Sequence, residues 1–175
     1  MERPPARWQS SQDAAAQWTL REFREEDLGA VLDVFQASVR QVAARDYIPE
    51  QVEAWAPVPP DEEYWRRRLV RKAVFVCETE GALAGFIAID TRGHVDLLFV
   101  HPAHLRRGVA TALLARARAW AMERGARRLT TDASVTARPF FEQAGFRVTE
   151  HRIVPLRGMM FRNFHMVMDC RDDAD

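Results

Sequence analysis

Residues 94–132 contain an apolar strand, a glycine that precedes a helical segment, and a second strand in direct succession. The strand HVDLLFV leads into a proline-containing loop, and from Gly108 small and apolar residues recur at helical spacing as far as Arg124. Gly125 ends this helix, and RRLTTD (127–132) has the composition of another strand. A strand, a helix and a strand joined in this way form a crossover between parallel strands, so the segment predicts one parallel pair.

The segments on both sides of this crossover have the periodicity of an antiparallel meander with added helices. Strands are predicted at 18–23, 73–78, 83–90 and in two segments around Gly158, and helices from Leu28, Pro49 and Asp61 and over 137–145. We therefore predict an α/β (α+β) sandwich, whose mixed, mostly antiparallel sheet has about six to seven strands flanked by helices.

Size and charge restrict the classes of function. The chain has 175 residues with 25 basic and 25 acidic side chains, which fits one domain and gives no reason to expect nucleic acid or an anionic membrane as a partner. No segment approaches the ~20 apolar residues of a membrane-spanning helix. Cys77 and Cys170 match no metal-ligand spacing, so we expect no metal site and reduced thiols in a soluble, cytoplasmic protein. We predict a flexible leader (1–16), a single domain (17–170) and an acidic tail (171–175).

The helix start in HPAHLRRGVATALL has the features of an anion-binding site. A helix N-terminus presents unpaired N–H groups and a partial positive charge. Gly108 lets an anion approach the backbone, and Ala110 keeps the next inward position small. Arg106 and Arg107 add positive charge, and Thr111 offers a hydroxyl. These features suit a pyrophosphate. The alternative is that Gly108 only allows the backbone turn between the loop and the helix, and that both arginines are solvated.

Two other phosphate-binding patterns do not match, because the chain lacks the lysine of a Walker loop and the three glycines of the dinucleotide fingerprint. Instead, FVHPAHLRRGVA resembles the signature of the GNAT (GCN5-related N-acetyltransferase) superfamily, in which a strand ending in Val-x-Pro precedes Gln/Arg-x-x-Gly-x-Gly/Ala. Leu105 stands where the family has Gln or Arg. ARPFFEQAGF resembles the family's second segment, and the similarity covers about residues 18–168. YIPEQVEAWAP and RGMMFRNFHM resemble an uncharacterised bacterial subgroup.

The resemblance implies an N-acetyltransferase that moves an acetyl group from acetyl-CoA to a primary amine of a small molecule or peptide, by direct attack in a ternary complex. The coenzyme contacts that it implies are Leu98, Phe99, Val100, Arg106, Arg107, Gly108, Val109, Ala110, Thr111, Ser134 and Phe141. A non-catalytic acyl-CoA-binding or sensing module is an alternative, which the departures at Leu105 and Phe141 favour, and a nucleotide is another phosphate ligand to consider. Relatives commonly form homodimers.

The catalytic groups are less well defined. Many relatives use a tyrosine to protonate the departing thiolate, and Phe141 stands at that position, so Ser134 is the nearest substitute. His94 and Asp96 are candidate bases, because residues 94, 96, 98 and 100 are expected to share one face of their strand and histidine titrates near neutral pH. An exposed histidine at a strand entry is the alternative for His94.

Aromatic residues before the first hairpin are candidates for the acceptor site. Tyr47, Trp55 and Tyr64 come from the segment that covers the acceptor in this superfamily, and they suit an apolar or cationic amine. His165 and Asn163 share a face of the last predicted strand and are further candidates. Packing in the core is the alternative for the aromatic residues, and a polar outer face is the alternative for His165 and Asn163.

Overall fold

The computed structural model describes residues 18–170. Its strands are β1 (Thr19–Glu22), β2 (Ala73–Thr79), β3 (Ala82–Ile89), β4 (His94–Val100), β5 (Arg128–Ser134), β6 (Arg147–Leu156) and β7 (Met159–Asp169). They form one seven-stranded sheet in the order β1-β2-β3-β4-β5-β7-β6. Only the β4–β5 pair is parallel within this sheet. The predicted mixed sheet is therefore confirmed, whereas the predicted leader and tail lie outside the described residues.

The helices begin close to the predicted positions. They are α1 (Leu28–Ala37), α2 (Pro49–Trp55), α3 (Glu62–Leu69), α4 (Val109–Met122) and α5 (Arg138–Gln143). Asp61 starts α3 by accepting a hydrogen bond from the Tyr64 backbone N–H at 2.9 Å. The helical spacing after Leu28 covers more than α1, because the chain continues through a π-helical turn (Ser38–Val42) and a 3-10 turn (Ala43–Arg45).

Two apolar layers lie on opposite faces of the sheet. The first cluster joins the strands to α4 and α5, through residues such as Ile87, Leu113 and Phe141. The second cluster joins the other face to α1, α2 and α3, through residues such as Phe35 and Phe86. The first cluster also contains Cys77, and burial raises the pKa of this thiol to about 11. Cys77 is therefore protonated and unreactive at neutral pH.

A bulge in β4 changes which of its side chains share a face. Leu97 pairs with Ala88 of β3 and Val95 pairs with Ile89, so Asp96 between them has no partner in β3 and is an extra residue in the strand. Leu98 and Val100 pack in the first cluster, whereas the Asp96 carboxylate meets Arg68 of α3 on the other face. The expectation that residues 94, 96, 98 and 100 share one face is therefore wrong, because the extra residue reverses the alternation.

The start of α1 is tied to the edge of the sheet by a buried carboxylate. Arg21 donates to the two oxygens of Asp27 at 2.7 and 2.9 Å, and the backbone N–H of Arg24 donates at 2.7 Å. Asp27 is 8% exposed. The hydrogen bond from Arg21 is the main cause that lowers the pKa of Asp27, against the opposing effect of burial.

We expect Asp27→Asn to lower the free energy of unfolding by about 2 kcal/mol at neutral pH, because the bonds from Arg21 lose their charged acceptor. Since the folded pKa is below the unfolded one, the stabilisation is present above about pH 4 and is lost as the pH falls through the folded pKa. Urea unfolding between pH 6 and pH 3 measures this: the difference between wild type and variant should shrink toward acid. Asp33→Asn, at an exposed position of α1, is the control. A difference that stays constant with pH contradicts the assignment.

Candidate active site

A cavity of about 370 Å³ lies between the sheet and the layer of α1, α2 and α3. Its aromatic lining consists of Phe35, Tyr47, Trp55, Tyr64, Trp65, Phe99, Phe141 and Phe161. The parallel pairing of β4 with β5 is confined to His94–Val95 and Thr130–Thr131, so the two strands part beyond these residues. Leu98 and Ser134, which follow on the two strands, both line the cavity. The cavity therefore reaches the gap between the parted strands.

The first turn of α4 has the geometry of an open anion site. Gly108 adopts the left-handed conformation with φ 77° and ψ 6°. Within residues 18–170, no side chain caps the helix, and no atom lies within 4 Å of the position that a Cβ would take at Gly108. Arg106, Arg107 and Thr111 are exposed around this turn. The backbone N–H groups at the helix start are thus accessible to a ligand that carries phosphate.

Gly85 of β3 sets how closely α4 approaches the sheet. A Cβ at this position would lie 2.8 Å from the carbonyl oxygen of Phe99, 3.0 Å from Val109 Cγ1 and 3.2 Å from Leu113 Cδ1. These contacts are shorter than van der Waals separation, so only glycine fits here. The position of the first turn of α4 therefore depends on Gly85, a residue of β3.

Asp96 is held in an ion pair at the edge of the cavity. Arg68 donates to its two carboxylate oxygens at 2.9 and 3.1 Å, and Lys72 Nζ lies 3.4 Å from Oδ2. Burial opposes the ionisation of Asp96, but the hydrogen bonds and the charge of Arg68 outweigh it and hold its pKa below the usual value. Asp96 is therefore ionised at neutral pH, but it is a weak base.

His94 belongs to a polar cluster centred on Asp132. Its Nδ1 lies 2.8 Å from Thr130 Oγ1, and its Nε2 lies 3.8 Å from Asp132 Oδ2. Asp132 also contacts His165 Nδ1 at 2.7 Å and accepts a hydrogen bond from Arg152 at 3.0 Å. Asp132 lines the cavity, whereas the two histidines lie behind it and contact its carboxylate.

Tyr47 reaches across the cavity to the end of β5. Its hydroxyl oxygen accepts a hydrogen bond from the Val135 backbone N–H at 2.9 Å, and its side chain also interacts with that of Ser134. Ser134 Oγ in turn accepts the Ala137 N–H at 3.0 Å. Burial is the main cause that raises the pKa of Tyr47, so the phenol is protonated at neutral pH. Both hydroxyl groups therefore carry protons beside the parted strands.

The predicted acceptor residues occupy different positions around the cavity. Tyr47, Trp55 and Tyr64 line it, whereas His165 lies outside its lining and contacts the lining residue Asp132. The Arg68 guanidinium lies 6.0 Å from the ring centre of Tyr64, so one cation already occupies the vicinity of this ring.

The predicted coenzyme contacts fall into two groups. Leu98, Phe99, Ser134 and Phe141 line the cavity, whereas Val100 and the segment 106–111 lie outside its lining. Phe141 is 3% exposed and packs against Phe146 with ring centres 5.1 Å apart. Phe141 therefore fills the core as well as facing the cavity.

Several lining residues were not predicted as site residues, among them Asp132 and Arg157. Asn163, which the sequence predicted to share a face of the last strand with His165, lines the cavity. Its Oδ1 atom is buried and has no hydrogen-bond partner within residues 18–170.

The described part of the chain has neither a metal-binding cluster nor a membrane-spanning helix. Residues 18–170 contain no group of three or more His, Cys, Asp or Glu side chains that could hold a metal ion. None of the helices in this range is long and apolar enough to cross a membrane.

The seven-stranded mixed sheet, with one parallel pair and flanking helices, has the architecture of N-acetyltransferase structures, and the comparison with known proteins agrees. A family model described as Acetyltransferase (GNAT) domain matches residues 43–168. The chain therefore belongs to the GNAT family and is an N-acetyltransferase of that family. This confirms the resemblance that the sequence motifs indicated.

Similar proteins extend over most of the chain. It is 36% identical over 147 residues to an uncharacterised N-acetyltransferase, YafP, of Escherichia coli (strain K12), which is 84% of this chain and 93% of the relative. A GCN5-related N-acetyltransferase crystal structure from Rhodopseudomonas palustris, described as Aminotransferase, Class-II, has a TM-score of 0.83 and 34% identity over 86% of this chain and 94% of that one. PaiA N-acetyltransferase from Thermoplasma acidophilum, crystallised with coenzyme A, has a TM-score of 0.70 over 87% of this chain and 98% of its own. At 18% identity, the PaiA match shows the fold alone.

Proposed function

We propose that this protein transfers an acetyl group from acetyl-CoA to a primary amine of a small molecule or peptide, by direct attack in a ternary complex. The observation that carries the proposal is the cavity that joins an aromatic wall to the gap between β4 and β5. This gap gives a thioester and an amine one place to meet. Neither cysteine of the chain lines the cavity, which favours direct transfer over an acyl-cysteine intermediate.

Acetyl-CoA fits the side of the sheet at which α4 begins. The uncapped amides at the start of α4 and the two arginines suit its pyrophosphate, and Gly108 leaves the backbone accessible. The backbone of Leu98, Phe99 and Val100 is the edge left free where β4 parts from β5, and it offers hydrogen bonds to pantetheine. The crystal structure of PaiA with coenzyme A supports this choice of ligand.

The acceptor amine must lose a proton before or during its attack. We assign this proton to His94, which takes it through water, while Asp132 at 3.8 Å stabilises the resulting imidazolium. Asp96 is the second candidate, but its ion pair with Arg68 makes it a weaker base. In this assignment the ion pair positions α3 at the cavity.

Departure of the thiolate needs hydrogen-bond donors more than a strong acid. A thiol has a pKa near 8.5, so its anion is a tolerable leaving group. Ser134 and Tyr47 place two hydroxyl protons beside the parted strands, and they stabilise the sulfur as the carbon–sulfur bond breaks and the carbon–nitrogen bond forms. These two residues stand in for the tyrosine that Phe141 replaces.

The test is release of CoA thiol from acetyl-CoA in the presence of a panel of primary amines. We expect wild-type protein to release thiol in an amine-dependent manner and His94→Gln to lower kcat by about 100-fold with unchanged binding of acetyl-CoA. His151→Gln, at an exposed histidine of β6, is the matched control. If kcat of His94→Gln stays within threefold of wild type, the assignment of the base is wrong while the proposed reaction stands.

A non-catalytic acyl-CoA-binding module is the second candidate. Phe141, buried in the core at the position of the usual proton donor, favours it. This candidate predicts binding of acetyl-CoA without amine-dependent release of thiol.

The cytoplasmic location and the homodimer that the sequence analysis suggested stay predictions.

A further inference from the structure

The charged side chains around the cavity are not balanced. Asp96 and Asp132 line the cavity and form ion pairs with Arg68 and Arg152, whereas Asp61 accepts only a backbone N–H at the start of α3. Arg157 and Arg162 also line the cavity, and neither forms an ion pair within residues 18–170. Two guanidinium groups and one carboxylate are thus left without an opposite charge, so the excess charge on the wall is positive and favours a ligand that carries a negative charge.

Arg157 is fixed in a position where it can bind an anion. It lies in the tight turn between β6 and β7, with φ 47°. Its Nη1 donates to the carbonyl oxygen of Ala54 at 2.7 Å, which places the guanidinium at the end of α2 beside the aromatic wall. A guanidinium has five N–H donors, so this one bond leaves others that can bind an oxyanion.

Asn163 offers a complementary group near the reaction centre. Among the described residues, no donor reaches its buried Oδ1, and an unpaired buried acceptor is unfavourable unless a ligand supplies the missing hydrogen bond. Asn163 pairs directly with Ser134 across β5 and β7, beside the parted strands. An amine at this point is next to the proposed site of acetyl transfer.

We propose that the acceptor carries an anionic group besides its primary amine, with Arg157 binding the anion and Asn163 Oδ1 accepting an amine N–H. This inference rests on the proposed function and specifies its substrate class. From the turn at Met159 to Asn163 the strand rises roughly 13 Å, and the Arg157 side chain spans part of that distance. The amine and the anion are therefore separated by several bonds, as in an ω-amino carboxylate. Its apolar middle packs on Trp55 and Phe161.

A matched pair of acceptors tests this inference, because 6-aminohexanoate and hexylamine differ only in the carboxylate. We expect wild-type kcat/KM to favour 6-aminohexanoate by about 10- to 100-fold, the effect of one charge-assisted anion contact. Arg157→Gln should abolish this preference, with a loss for 6-aminohexanoate that exceeds any loss for hexylamine by the same factor. Asn163→Leu should instead raise KM for both amines alike. Arg147→Gln, an exposed position of β6, is the control and should keep the preference.

The outcomes distinguish a failure of the anion site at Arg157 from a failure of the proposed acetyl transfer. If wild type acetylates both amines with equal kcat/KM, or if Arg157→Gln keeps the preference, the anion site is overturned while acetyl transfer stands. If wild type binds acetyl-CoA but acetylates neither these amines nor a broader panel, the proposed function fails and this inference fails with it. Circular dichroism of each variant establishes that the turn and the sheet remain folded.

Discussion

Replacing Gly108 by valine abolishes measurable binding of acetyl-CoA in a domain that still folds. The residue has φ 77°, and no atom of the described part of the chain lies within 4 Å of the position that a Cβ would take. The added side chain therefore displaces the ligand and not a neighbouring residue. Losing two or more charge-assisted hydrogen bonds to phosphate weakens binding by about 100-fold or more. Isothermal titration calorimetry with acetyl-CoA measures the loss.

The control for Gly108→Val is Gly81→Val in the turn between β2 and β3. Gly81 has φ 78° and equally open surroundings, so both substitutions introduce the same backbone strain of about 1–2 kcal/mol. Only the Gly108 variant should lose the ligand. Unchanged affinity in Gly108→Val would show that the start of α4 does not hold the coenzyme.

Gly85→Val produces the largest loss of stability that we expect in the chain. Its side chain would collide with the carbonyl oxygen of Phe99 at 2.8 Å and with Val109 of α4 at 3.0 Å. Because a backbone carbonyl cannot move aside like a flexible side chain, the free energy of unfolding falls by about 3 kcal/mol. That change lowers the melting temperature by roughly 10 °C in a domain of this size.

Thermal unfolding checks the effect of Gly85→Val, with Gly29→Val as the control. Gly29 lies in α1 with nothing within 4 Å of its Cβ position, so its substitution should shift the melting temperature by only a few degrees. Because Gly85 sets the position of α4, we also expect weaker binding of acetyl-CoA in the Gly85 variant at temperatures where it is folded. A melting temperature equal to that of wild type would mean that α4 is packed less tightly than the structure shows.

The elements were predictable because their signals are local. Apolar spacing and terminal glycines locate α4, and the short runs around Gly81 and Gly158 mark the two hairpins. The bulge at Asp96 was not predictable, because a single extra residue leaves the composition of the strand unchanged. It becomes visible only in the pairing with β3. That one residue moves Asp96 to the face opposite Leu98 and Val100.

The proposed coenzyme side of the candidate site could be predicted from the sequence, whereas the contacts that assemble the acceptor side could not. The proposed pyrophosphate site lies within one continuous segment, from Arg106 to Thr111, so its pattern can be recognised in the sequence. The acceptor side is assembled from distant segments: Tyr47 bonds to Val135, and Arg157 bonds to Ala54. No periodicity connects such pairs, since the folding of the sheet and of α2 brings them together.

Amine-dependent release of CoA thiol by the wild-type protein tests the central proposal most directly. At saturating acetyl-CoA, we predict a rate that rises with amine concentration and saturates, and an acetylated amine detected by mass spectrometry in equal amount to the released thiol. Acetyl-CoA that binds but is not consumed with any amine of the panel would contradict acetyl transfer and favour the non-catalytic module.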